Sequence, residues 1–183
     1  MRADARSNRD QIVAAAQVVF LEQGVEVSMK EIADRAGVGV GTLYRRFPDR
    51  GALISAAAHA YLSGLADLAA TAIRDEEDAW STLCRFLREC AEMRLGALAS
   101  AIEPTLHADI RSDPALTEVR ARIADHVEDM TTRARASGDL RADVGPRDIA
   151  ALMTLQVFVF PDESYVETAR RTMDIVLAGL RAR

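Results

Sequence analysis

Apolar residues recur every third or fourth position through almost every segment of this chain, and nowhere do four to eight residues alternate as a half-buried strand requires. That periodicity restricts the fold to packed helices. The class is all-α, with about nine helices expected. A length of 183 residues accommodates one large domain or two smaller ones, and a composition of 49% hydrophobic and 28% charged residues excludes a disordered or fibrous chain. The start, Met1 to Asp10, is polar and carries Arg2, Arg6 and Arg9, without the charged, apolar and small-residue order of a secretory signal, so a cytoplasmic location is expected. The stretch from Ala52 to Ile73 is interrupted by Ser55, His59, Ser63, Asp67 and Thr71. A membrane span needs about 20 predominantly apolar residues, so this stretch reads as a buried helix and no membrane partner is expected.

Local signals place the helices. Ile12, Ala15, Ala16, Val19 and Phe20 share one face of a first helix, which Ser7 or Asn8 can cap near residue 8 and Gly24 can end. Ser28-Met29-Lys30-Glu31 has the spacing of a reciprocal capping box and starts a short second helix that stops at Gly37. A third segment, Val40 to Phe47, follows at once. Asp49 can cap a long fourth helix reaching about Ala72, and the acidic run Asp75 to Asp78 precedes a fifth with two apolar faces. From Gly96 to Arg111 the pattern loosens around Pro104, which predicts a broken sixth helix. Asp113-Pro114 opens a seventh that Gly138 ends. Gly145-Pro146 opens an eighth whose face runs to Phe160, and Pro161-Asp162 starts a ninth.

The tight pair of short helices is the most specific feature. A helix-turn-helix that reads DNA needs a bracing helix, a compact turn and a second helix whose first residues reach the major groove. Ala36 allows close packing, Gly37 permits the turn, Val38 and Leu43 fill a small core, and Gly39 and Gly41 keep the backbone near the DNA. Thr42 and Tyr44 offer hydroxyls, and Arg45, Arg46 and Arg50 offer charge. The whole chain has net charge −5, which excludes a protein that coats nucleic acid over its entire surface. Within it, however, Arg35 to Arg50 holds four arginines and a single acid, a local positive patch suited to phosphates.

Residues 9–53 resemble the DNA-binding region of the TetR family of bacterial transcription regulators. The resemblance rests on Ile12-x2-Ala15-Ala16, Phe20, Gly24, Ser28-Met29-x2-Ile32-Ala33-x2-Ala36-Gly37-Val38, Gly41-Thr42-Leu43-Tyr44-x2-Phe47 and Leu53. It departs at Gly39, where the family commonly has serine, and at Arg50, where lysine is common. By position, the resemblance implies contacts to bases or nearby backbone from Lys30, Val40, Gly41, Tyr44, Arg45 and Arg46, and phosphate contacts from Ser28, Thr42 and Arg50. Ser28 has an ordinary alternative as a helix cap. Arg2 and Arg6 are expected in an unstructured tail, with a minor-groove arm as the alternative.

The resemblance further implies a homodimeric repressor, released from a palindromic double-stranded operator by a small-molecule effector. The chain then divides into a DNA-binding domain, residues 1–50, and a helical ligand-binding and dimerisation domain, residues 51–183. Helices four to seven are expected to enclose the effector site, with Gly96 to Arg111 as its mouth. Candidate linings are Tyr61, Trp80, Cys84, Phe86, Cys90, Met93, Leu106, His107, Ile110, Val127 and Met130. The last two helices are expected to pair with their symmetry mates through Ile149, Met153, Gln156, Val157, Met173, Val176 and Leu180.

Chemistry beyond binding has little support in the residues. His59, His107 and His126 fall on separate segments without metal-ligand spacing, so no metal and no cofactor are expected. Cys84 and Cys90 read as small hydrophobes rather than a disulfide, with thiol sensing as the alternative. The rival to regulation is a helical small-molecule-binding protein or enzyme whose N-terminal motif does not bind DNA.

Overall fold

The structure is a computed structural model that describes residues 2–94 and 113–182, with side chains from position 8 onward. Its helices are α1 (Arg2–Gln23), α2 (Met29–Arg35), α3 (Val40–Arg46), α4 (Arg50–Asp75), α5 (Ala79–Glu92), α6 (Pro114–Ala136), α7 (Pro146–Met153) and α8 (Tyr165–Leu180). Among the described residues there is no strand, only an isolated antiparallel bridge between Leu140 and Arg181. The expected sixth helix, Gly96 to Arg111, lies outside the described residues.

Contacts divide the chain into two units, and one boundary between them falls at Ser63/Gly64, inside α4. In the first unit, Gly24 ends α1 with φ 84° and its amide bonds the carbonyl of Phe20 at 3.0 Å. Gly37 turns the chain between α2 and α3 with φ 67°, a left-handed conformation that costs glycine little. The Ser28 hydroxyl accepts the Glu31 amide at 3.1 Å. The return bond of the capping box is not formed among the described residues, so Ser28 caps α2 alone. Ile12, Ala16, Phe20, Ile32, Ala33, Leu43 and Leu53 are fully buried and form the centre of this unit's core. α4 is capped as its sequence predicts, the Asp49 carboxylate accepting the Ala52 amide at 2.8 Å. It is long and apolar enough to cross a membrane by length and composition. Its Leu53, Ile54, Ala57 and Ala58 are buried in the first unit and Leu65, Ala66, Ala69 and Ala72 in the second, which accounts for its apolar stripe.

The second unit is organised around α5. Asp78 caps it, accepting the Ser81 amide at 2.8 Å, and Leu83, Phe86, Leu87 and Cys90 are 0% exposed. α8 packs along it, with Ala169 and Met173 buried. Arg88 pairs with Asp174 at 2.8 Å, Arg170 with Glu92 at 2.6 Å, and the Tyr165 hydroxyl donates to the Ala91 carbonyl at 2.9 Å. Arg94, at the end of α5, has φ 55° and its guanidinium lies 4.7 Å from the Tyr165 ring centroid.

Three elements depart from the sequence expectation. α1 begins at Arg2 rather than near residue 8, so Ser7 and Asn8 are inside it rather than capping it. No glycine or proline interrupts residues 2–23, and alanine, arginine and glutamine sustain a helix. α7 stops at Met153, well short of Phe160. The run Val157-Phe158-Val159-Phe160 is β-branched and aromatic, types that lose side-chain freedom in a helix. Through residues 155–160 half-buried and exposed positions alternate, the strand-like period that the helical reading overlooked. Phe158 and Phe160 stack edge-to-face with centroids 5.3 Å apart, as side chains two apart on an extended backbone can. α8 then starts at Tyr165 behind Ser164, later than Pro161-Asp162 suggests.

Candidate nucleic-acid interface

The surface of α3 follows from what anchors it. Leu43 is fully buried and Phe47, four residues on, is 2% exposed, so this seven-residue helix rests on one edge. The other edge carries Val40 at 44% exposure, Tyr44 at 49%, and the exposed Gly41, Arg45 and Arg46. An exposed valine and tyrosine at helical spacing have no role in the core beneath them. Gly39 starts the helix without a side-chain cap, as expected from the missing hydroxyl.

Electrostatics redistribute the arginines that the sequence groups together. Arg35 pairs with Glu22 at 2.5 Å. Arg50 donates through Nη1 to the carbonyls of both Val25 and Val27, the loop that connects α1 to α2. Arg45 donates to the Thr42 hydroxyl at 2.8 Å and stays exposed, and Arg46 makes no ion pair among the described residues. Of the four, Arg45 and Arg46 therefore stand exposed beside Tyr44, while Arg35 is neutralised by Glu22 and Arg50 is engaged by two carbonyls. Lys30 is exposed and paired with Asp34 at 2.6 Å, a hydrogen bond and charge that raise its pKa. Ser28 acts as the cap of α2.

One cation near this face is absent from the sequence-based set. The Arg9 guanidinium lies 5.3 Å from the ring centroid of Phe47, the residue that ends α3. Its position three residues before Ile12, a fully buried residue of α1, was the available signal.

The candidate effector residues do not line one described cavity. Tyr61 is half-buried against the core of the first unit. In the second unit, Phe86, Cys90, Val127 and Met130 are buried core residues, and Cys84 is 7% exposed. Trp80 is half-buried, with the Arg181 guanidinium 5.5 Å from its ring centroid. Met93 lines an open groove of about 710 Å³ with Leu68, between Arg85, Arg88 and Arg170 on one hand and Glu89 and Glu92 on the other. Leu106, His107 and Ile110 lie outside the described residues. Both cysteines are free and buried, and burial raises each thiol pKa. Among the described residues, no three His, Cys, Asp or Glu side chains converge on a point that could hold a metal.

Of the residues expected at a dimer contact, Ile149, Met153 and Met173 are buried within the single chain. Val157, Val176 and Leu180 are half-buried, and Gln156 is exposed beyond the end of α7. The most exposed apolar side chains nearby are Phe158 at 78%, Ile175 at 69% and Phe160 at 60%.

A helix held by a buried pair, with its other edge open, apolar, aromatic and cationic, defines a helix-turn-helix DNA-binding regulator. Residues 12–57 match the family described as bacterial regulatory proteins, tetR family, and residues 77–182 match the C-terminal domain of SbtR-like transcriptional regulators. The chain belongs to the TetR family of transcription regulators. An HTH-type transcriptional regulator of Staphylococcus aureus (strain USA300) is 51% identical over 51 residues, which span 27% of this chain and 28% of that relative. The TetR transcription regulatory protein of Mycobacterium vanbaalenii superposes with a TM-score of 0.72 at 30% identity, over 99% of both chains. A TetR regulator of Streptomyces coelicolor, SCO0520, does so with 0.68 at 31%, over 95% of this chain and 98% of that one.

Proposed function

We propose that this chain is a homodimeric repressor that binds a palindromic operator and is released from it by a small-molecule effector. The observation that carries the reading is the open edge of α3, where Val40, Tyr44, Arg45 and Arg46 stand exposed over buried Leu43 and Phe47. Val40 and Gly41 are at the start of the helix, where base edges are met, and the Thr42 and Tyr44 hydroxyls with Arg45 and Arg46 take phosphates or bases. Ser28 and Arg50 act on the architecture, as a cap and as a brace. A two-fold dimer places half-sites about one helical turn apart, roughly 34 Å, or at a larger matching separation. A regulator of chromosomal genes works where the DNA is, in the bacterial cytoplasm, and needs no catalytic step.

The dimer brings together the last two helices and the exposed Phe158, Phe160 and Ile175 beside them, apolar surface that a monomer leaves in water. The effector acts on the second unit. Its groove beside Met93 combines paired charges of both signs with two apolar side chains, which suits a small polar molecule with an apolar part. Effector and operator oppose each other through a coupling of about 1–3 kcal/mol, a 5- to 150-fold change in affinity that is reciprocal.

Selection of bound fragments from bacterial genomic DNA, followed by footprinting, tests this reading. Two protected half-sites related by a dyad are the expected result. Fragments enriched no more than random duplex at moderate salt would remove the operator from the account.

A further inference from the structure

We infer that Arg9 is a DNA-phosphate contact, held in place by Phe47 at the far end of the recognition helix. The inference rests on the DNA-binding reading and adds a site that the helix-turn-helix alone does not contain. A helix of seven residues is about 10 Å long, against a major groove about 12 Å wide. A cation fixed at one end of α3 therefore stands close to one wall of the groove, where the phosphates run.

Arg9 has the features of such a contact. It is exposed, and its guanidinium sits 5.3 Å from the ring centroid of Phe47, immediately after Arg46 in the chain. Among the described residues no carboxylate pairs with it, unlike Arg35, whose charge Glu22 neutralises. A ring attracts the cation without engaging all of its five N–H donors, so donors remain available to oxygen. Arg9 thus adds an exposed cation at the end of α3, whereas Arg35 is paired with Glu22.

The test uses the salt dependence of binding to a duplex of mixed sequence, because a phosphate contact needs no operator. Each phosphate contact contributes about 0.9 to the slope of log affinity against log salt. Arg9→Gln is expected to make the slope shallower by about 0.9 per bound protomer, and Arg9→Lys, which keeps the charge, to retain it. In parallel, modification of Arg9 in the unaltered protein by an arginine-selective dicarbonyl is read by peptide mass, with and without the duplex. Protection of Arg9 at low salt, lost at high salt, is the expected result, and this arm does not depend on how any variant folds. An unchanged slope in a folded Arg9→Gln protein, an equal loss in Arg9→Lys, or an Arg9 that duplex does not protect would overturn the inference while leaving the DNA reading in place. A wild-type chain that binds no duplex at low salt would overturn both.

Discussion

Replacing Arg50 separates a brace from a phosphate contact. Its Nη1 joins the carbonyls of Val25 and Val27, and so ties the first turn of α4 to the loop ahead of α2. Arg50→Met keeps most of the apolar stem and removes every donor. A hydrogen bond from a charged group contributes about 1.5–3 kcal/mol, but this site is half-buried and water can reach the freed carbonyls, so the two bonds together are worth about 2–3 kcal/mol. For a chain of this size each kcal/mol corresponds to about 2–4 °C, which gives a fall in melting temperature of roughly 4–12 °C. Thermal unfolding followed by circular dichroism measures that fall. Binding to a mixed-sequence duplex, well below the transition, is expected to keep the wild-type salt slope. An unchanged melting temperature together with a slope shallower by about 0.9 per protomer would show that Arg50 holds phosphate, and the bracing argument would fail.

Met173→Asp sets an unpaired carboxylate in the core of the single chain, a cost of several kcal/mol against a total stability of about 5–15, so the variant is expected to lose cooperative unfolding; a well-folded monomer in sedimentation would instead place Met173 at the dimer contact. Burial raises the Cys90 thiol pKa, so the folded chain retains a proton that the unfolded chain releases above about pH 8.5. The stability this contributes is present below that pH and is lost as pH rises above it. Urea midpoints from pH 8 to 10 should fall more steeply for the wild type than for Cys90→Ala, and parallel curves would refute the assignment. A Cβ at Gly64 meets nothing within 4 Å, so Gly64→Ala should raise stability by about 0.5–1 kcal/mol through helix propensity; a lower melting temperature would indicate close packing there. Tyr44→Phe removes only a hydroxyl and is expected to weaken binding to operator and random duplex by a similar factor, whereas a loss confined to operator would make it a base contact.

The parts of this fold that can be read in the sequence are those where local chemistry and packing agree. Ser28, Gly37, Asp49, Asp78 and Asp113 mark helix ends because a cap or a left-handed turn depends on the residue itself, and each lies where the structure has such an end. Leu43 was likewise legible as a core residue of the short helix pair, and it is fully buried. The extent of α1 was not, since a polar stretch with arginines reads equally as a tail or as a helix face. Nor was the end of α7, where Val157 to Phe160 can be given a helical stripe although their side chains favour extended backbone. Charge was the least legible property. Arg35, Arg45, Arg46 and Arg50 look equivalent in sequence, yet one is neutralised by Glu22, one is tied to carbonyls and two face outward. Those differences arise from partners 13 to 25 residues away, which periodicity does not reveal.

Competition binding measures whether the open edge of α3 reads a specific DNA sequence. A genomic fragment recovered by selection is labelled, bound at moderate salt, and displaced by unlabelled copies of itself or by duplex of the same composition with its half-sites scrambled. Specific recognition predicts that at least about 10³ times more of the scrambled duplex is needed, and that Tyr44→Ala with Arg46→Ala collapses this ratio in a protein that still melts cooperatively. A ratio near one for the wild type would contradict the account.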